Sequence, residues 1–249
     1  MMRIRNVLAV LALAAVLPAA AVDVKVLAAG AVKSAFTEAA AAWERETGNR
    51  VVAAFAPAGE LRKRANAGEA ADAFIVPREG LADVDAALVP GARYDLGAAV
   101  IAAAVRHGAP KPDISTPEAL KATLAGVKSL TYMDPTRGTS GKHFDETVLP
   151  ALGMRDEVRA KTTFGEGGFI AEKVARGEVE IVFHQLTEIL PVQGVDIVGP
   201  LPASLQKKTV YTGAVGSKAA HPDAARSLLE YLASAAGRKV FLDRGFAAP

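Results

Sequence analysis

Short apolar runs alternate along this chain with longer stretches in which apolar residues recur every three or four positions. Val24 to Ala28 (VKVLA) reads as a strand and enters a turn at Ala29-Gly30-Ala31. Val32, Phe36, Ala40 and Trp43 then share one face of a helix predicted from Val32 to Thr47, with Gly48 placed to close it. Arg50 to Phe55 is a second strand, Pro57-Ala58-Gly59 a turn into a short helix over Glu60 to Ala67, and Ala73 to Val76 a third strand. Asp95 to Val105 is the longest apolar β-compatible run, and the His107 to Pro112 loop after it is where the chain is expected to change lobes. Ser115 with Glu118 fits a capping box for the next helix. Strands follow at Leu130, at Val179 to Phe183 and at Thr209 to Val215, with helices from His221-Pro222-Asp223 to about Ala235 and near Arg238 to Arg244. Strands alternating with helices at this spacing predict largely parallel sheets covered by helices.

One stretch combines this pattern with chemistry. Leu130 to Phe144 (LTYMDPTRGTSGKHF) runs from a buried strand through Gly138-Thr139-Ser140-Gly141 into a helix. A glycine-rich turn at a helix start leaves backbone N–H groups free to meet an anion. Thr136, Thr139 and Ser140 add hydroxyls; Arg137, Lys142 and His143 add charge or a titratable ring. A phosphate-binding P-loop is excluded, because Thr136 stands where its first glycine belongs and His143 follows the lysine. A nucleophile elbow is excluded by Lys142, two places after the serine. An anion-binding turn and an ordinary strand–helix turn both remain open.

Composition narrows the classes. Met1 to Arg5, the apolar run Val7 to Leu17 and the small residues up to Ala21 form a secretory leader, with cleavage expected after Ala21. The run is short for a membrane span, and no later segment approaches spanning length without charges, so the mature chain is expected not to insert in the membrane. The 249 residues contain no cysteine, which excludes disulfides, thiolate metal sites and an N-terminal lipid anchor. The formal excess of +2 is Arg3 and Arg5, which leave with the leader. The balanced mature chain gives no support for nucleic-acid binding. No two histidines have metal-ligand spacing and no acidic cluster would hold a metal, so neither metal nor cofactor is expected.

The order VLAAGAVKSAF, WERETGNRV, FAPAGEL, ADAFIV, then DPTRGTSGKHF, EIVFHQLTEI, VGPLPASLQ and TVYTGAV resembles the molybdate-type periplasmic binding proteins over essentially the whole mature chain. The resemblance implies an α/β, two-lobe periplasmic-binding-protein fold. Each lobe would be a mostly parallel sheet flanked by helices, with two hinge crossings and a small anionic ligand between the lobes. It implies residues 22–104 and 211–249 in one lobe, 105–210 in the other, a periplasmic location, and delivery to an inner-membrane ABC permease. That family holds its oxyanion with serine hydroxyls in the first two strand–helix turns. Here those turns are Ala29-Gly30-Ala31 and Pro57-Ala58-Gly59, and Phe183 stands where a tyrosine usually ends the strand. Each missing donor costs about 1–3 kcal/mol, which favours an organic polycarboxylate over molybdate. The HQLTEI and VGPLPASLQ segments resemble a divergent branch, the aconitate isomerases, which move a proton and a double bond.

The expected ligand-binding set is Gly30, Ala31, Lys33, Ala58, Gly59, Arg137, Gly138, Thr139, Ser140, Lys142, His184 and Gln185. Of Arg62 to Arg64, at most one or two can face one direction. For proton transfer the candidates are His143, His184 and Lys33. Glu188 reads as a base or a satisfied helix residue, with the second preferred; His107 and His221, in proline-rich loops, read as solvent-facing. A solute-binding protein and an isomerase both fit these residues.

Overall fold

The structure, a computed structural model, describes residues 21–249. The charged start and apolar run of the expected leader lie outside the described residues. Nine strands form two sheets. β1 (Asp23–Ala29), β2 (Arg50–Ala56), β3 (Ala73–Pro77), β4 (Tyr94–Ala99) and β9 (Thr209–Val215) make a five-stranded sheet in the order β2-β1-β3-β9-β4. β5 (Ile101–Arg106), β6 (Leu130–Tyr132), β7 (Ile181–Gln185) and β8 (Val195–Pro200) make a four-stranded sheet in the order β6-β7-β5-β8.

Each sheet contains one strand that opposes the rest: β9 in the first, antiparallel to β3 and β4, and β5 in the second, antiparallel to β7 and β8. Both are the strands on which the chain arrives from the other lobe. The remaining strands point their carboxyl ends at the cleft, so a chain crossing there must enter the next sheet running backwards. This geometry places the first crossing at Val100, between β4 and β5, and not in the His107 to Pro112 loop. The Asp95 to Val105 run is therefore two strands of different sheets. It is continuously apolar because both are buried, and apolarity reports burial without saying in which sheet. The return crossing occupies Leu201 to Lys208, just ahead of β9. There the Gln206 side-chain amide grips the other crossing, accepting from Ile101 N (3.0 Å) and donating to Ile101 O (2.8 Å).

Helices cover the sheets: α1 (Lys33–Thr47), α2 (Ala58–Asn66), α3 (Pro117–Gly126), α4 (Thr139–His143), α5 (Leu149–Leu152), α6 (Arg155–Ala160), α7 (Glu172–Ala175), α8 (Leu186–Ile189), α9 (Pro222–Ala233) and α10 (Ala235–Asp243). α1 ends at Gly48, whose φ of 76° is the left-handed conformation glycine adopts without a Cβ penalty. Phe36 and Trp43 are buried against the first sheet, and Trp43 Nε1 donates to Ser227 Oγ of α9. At α3 the cap is Thr116, accepting from Ala119 N, while the Ser115 amide is held by Asp113 Oδ1. Pro117 at the first helical position moves the boundary one residue beyond the expected Ser115.

The second lobe centres on Tyr132, Phe144 and Phe183, with Phe144 stacked on Phe183 at 4.6 Å. Phe144 begins a π-helical turn, Phe144–Val148, between α4 and α5. That turn carries Asp145, fully buried, which accepts from the Tyr132 hydroxyl and from Arg155 and Arg159. Burial pushes the carboxyl pKa up, but the hydrogen bonds from Arg159, Arg155 and Tyr132 outweigh it and hold Asp145 below the usual range.

Candidate functional site

The strand ends converge on a cavity of about 140 Å³ between the lobes. From the first lobe come the Ala29–Ala31 segment at the end of β1, Lys33, the Phe55–Ala58 segment running out of β2, and Tyr211 of β9. From the second come Met133 and Gly138 to Ser140 after β6, and His184, Gln185 and Glu188 at the end of β7 and in α8. Gly168 and Phe169 complete that wall from the loop before α7. Binding between strand carboxyl ends is the general rule for open α/β sheets.

The polar side of this wall is a chain of three buried side chains. Ser140 Oγ lies 3.2 Å from His184 Nδ1, and His184 Nε2 lies 3.2 Å from Glu188 Oε2. The second contact is out of line for a hydrogen bond and leaves Nε2 without one among the described residues. His184 is 1% exposed, Ser140 4% and Glu188 6%, which keeps bulk water away from all three. Gln185 Nε2 reaches the Thr139 hydroxyl at 3.5 Å, while its Oε1 is buried with no partner among the described residues. Opposite stands the Tyr211 hydroxyl. Burial, and next the Glu188 charge, push that phenol well up, so it remains a protonated donor.

Glycines let the two walls meet. A Cβ at Gly30 would stand 2.9 Å from Glu188 Oε1, and a Cβ at Gly59 would stand 3.0 Å from Thr136 O. The Gly59 N–H donates instead to Arg137 O at 2.9 Å, a backbone bond between lobes. Gly138 and Gly141 answer to packing: a Cβ at Gly138 would fall 2.3 Å from Met133 Cγ, and one at Gly141 1.8 Å from Met133 O.

The expected residues thus divide. Gly30, Ala31, Lys33, Ala58, Gly138, Thr139, Ser140, His184 and Gln185 line the inner cavity. Gly59, Arg137 and Lys142 line an adjoining cavity of about 530 Å³, where Arg137 faces Glu60 at 3.8 Å. Lys142 follows Ser140 by two residues, about 200° round a helix, and so turns away from it. His143, expected as a proton-transfer group, lines neither cavity. Its Nε2 donates to Leu205 O at 2.8 Å, tying α4 to the return crossing. Arg62 faces the adjoining cavity beside Asp83, and Arg64 is taken up by Glu69. His107 is solvent-facing and pairs with Asp196.

Several residues of the wall were absent from the expected set, among them Phe55, Met133 and Phe169 and the polar Glu188 and Tyr211. Glu188, read as a base or, by preference, a satisfied helix residue, is buried in the cleft; its one signal was a position one helical turn after His184. Tyr211 had none, because it arrives on a strand from the far end of the chain. Among the described residues, no group of three or more His, Asp or Glu side chains is placed to hold a metal ion, and no helix is long and apolar enough to cross a membrane.

Two α/β lobes joined by two crossings, with the polar residues gathered between them, define a periplasmic-binding-protein class of molecule. The chain belongs to the bacterial extracellular solute-binding protein family, which it matches over residues 24–247. It is 38% identical over 227 residues to an aconitate isomerase of a Pseudomonas species, covering 88% of this chain and 86% of that protein. Its fold is that of the periplasmic molybdate-binding protein of Azotobacter vinelandii, with a TM-score of 0.76 at 18% identity over 91% of this chain and 99% of that one. A sulfate-binding protein of Mycobacterium tuberculosis superposes with a TM-score of 0.74 at 15% identity, covering 90% and 86%.

Proposed function

We propose that this protein is an exported isomerase that interconverts cis- and trans-aconitate by allylic proton transfer. The observation that carries the reading is Glu188. A carboxylate in the wall of an anion-binding cleft repels the ligand, and a protein that only captures anions gains nothing from it. A protein that must remove a proton from carbon gains a base held at the reacting atoms. The 38% identity to an aconitate isomerase supports the same conclusion.

In this mechanism Glu188 takes a proton from the methylene carbon next to a carboxylate. The C–H electron pair becomes the new double bond, and the old double bond shifts charge onto the carbon skeleton and its carboxylates. Lys33 and the hydroxyls of Thr139, Ser140 and Tyr211 stabilise that charge while it lasts. Protonation at the other allylic end then completes the shift, with atoms and charge conserved. His184, between Ser140 and Glu188, packs against the base and holds its position in the wall. Exclusion of water strengthens each of these interactions.

The test is to incubate the purified chain with cis-aconitate and follow trans-aconitate by proton NMR. Formation of the trans isomer, lost in Glu188→Gln, is the expected result. A second reading, capture of an organic polycarboxylate for an inner-membrane ABC permease, is favoured by the shared fold of molybdate- and sulfate-binding proteins. It predicts stabilisation by the same acids with no turnover.

A further inference from the structure

The cleft has one cation on its inner lining, and that cation has an unusual setting. Lys33 Nζ lies 5.9 Å from the ring centroid of Phe55 and 5.4 Å from that of Phe169. No carboxylate lies within 4.0 Å of it among the described residues. The two rings come from opposite lobes. Phe55 is the penultimate residue of β2, held edge-on against Phe36 at 5.8 Å. Phe169 rides the Gly165–Phe169 loop, where Gly168 has a φ of 69° and a Cβ at Gly167 would lie 3.2 Å from Pro57 of the first lobe. Both rings therefore meet the same ammonium where the two lobes face each other.

Aromatic faces attract an ammonium more weakly than a carboxylate does, so Lys33 is held ready for an anionic group of the ligand. The rest of the surroundings decides the ligand's shape. Ala29, Ala31 and Pro57, with the rings, form an apolar surface, while the side-chain donors and acceptors lie on the second-lobe edge made by Thr139, Ser140, His184, Gln185 and Glu188, with the Tyr211 hydroxyl opposite it. A tetrahedral oxyanion needs donors on all sides, and the faces made by the rings, Ala29, Ala31 and Pro57 offer no side-chain donor. A flat molecule with polar edges and apolar faces matches this arrangement.

We infer that Phe55 and Phe169 are specificity-determining residues that select planar, conjugated carboxylates over saturated acids of equal charge, with Lys33 receiving one carboxylate at the rim. This deepens the isomerase reading and rests on it for the identity of the site. It explains how one cleft would hold both geometric isomers, whose unsaturated carbons are flat, while rejecting a chain of tetrahedral carbons.

The experiment measures binding of trans-aconitate, cis-aconitate and the saturated tricarballylate to the wild-type chain by calorimetry, with fumarate and succinate as a smaller unsaturated and saturated pair. The unsaturated acid of each set should bind about fivefold or more tightly, the scale of an aromatic-face contact. Phe169→Leu should shrink that preference to about twofold or less, chiefly by weakening the unsaturated acid. Unliganded melting of Phe169→Leu should stay near wild type, since the residue sits half-buried on a loop. Phe55→Leu, on a strand, gives the second measurement. Equal binding of saturated and unsaturated acids by the wild type overturns the inference even if aconitate is isomerised. A clear preference without turnover overturns the isomerase reading and leaves the inference standing. Failure of every planar acid to bind overturns both.

Discussion

The two walls of the cleft are built from similar parts and are chemically unlike. Both begin where a strand ends and a helix starts. The first-lobe wall is small and mostly apolar: Ala29, Gly30, Ala31, Ala56 and Ala58, with Lys33 and Tyr211 as its polar groups. The second-lobe wall carries Thr139, Ser140, His184, Gln185 and Glu188. In the proposed function one wall would supply shape and a counter-charge, and the other the groups that move a proton. Neither wall carries the whole set of lining groups, so the proposed chemistry needs both lobes.

The proposed division of labour is broken most directly at Glu188. Glu188→Gln keeps the side chain's size and removes its basicity. Turnover of cis-aconitate should fall about 10²- to 10⁴-fold, while aconitate still raises the melting temperature. Loss of stabilisation together with turnover would show that Glu188 holds the wall together and is not the base.

The scaffold behind the second wall gives the next largest effect. Asp145→Asn removes the buried charge that Arg155 and Arg159 share and should cost about 3 kcal/mol, the low end for such a loss because both arginines are partly solvated. The Asp145 pKa is lowered on folding, so its contribution is present above the ordinary carboxylate pKa. It is lost as pH falls through the depressed folded value. Wild-type and Asp145→Asn chemical denaturation curves should therefore converge as pH falls below about 4. A gap that stays constant through that range would assign the loss to packing.

Lys33→Met tests the first wall. It deletes the cation and keeps the stem, and should weaken aconitate by about 10- to 150-fold, the range for a hydrogen bond to a charged group. Calorimetry decides it, and unchanged affinity would transfer the counter-charge role to the outer cations Arg137 and Lys142.

The smallest expected effect sharpens the link between walls. In Gly59→Ala the new Cβ would meet Thr136 O and Arg137 O at 3.0 and 3.1 Å. Closure should cost about 1 kcal/mol and ligand affinity should fall a few-fold, with unliganded stability little changed. Small-angle scattering would show a more open unliganded molecule. No change in scattering or affinity would mean that the Gly59 contact plays no part in closure.

Much of this was legible in the chain. Apolar spacing marked the strands and the long helices, and the order of segments marked the two-lobe class. Gly138 to Ser140, Lys33, His184 and Gln185 were singled out and line the cleft. His143 looked as good as His184 but belongs to a helix face directed at Leu205. Lys142 and Arg137 stood in the same expected set as Lys33, yet line the outer cavity.

What the sequence determined by itself is what local energetics govern. Side-chain periodicity selects helix or strand, glycine at position 48 ends α1, and the absence of cysteine removes disulfide and thiolate chemistry. What the tertiary structure decided is which ends meet. The switch of sheets at Val100, the arrival of Tyr211 opposite Thr139, and the burial of Glu188 depend on how distant elements dock. A four-residue helix such as α8 carries too little periodicity to say whether its glutamate faces water or the cleft, and the packing of one lobe on the other settles it.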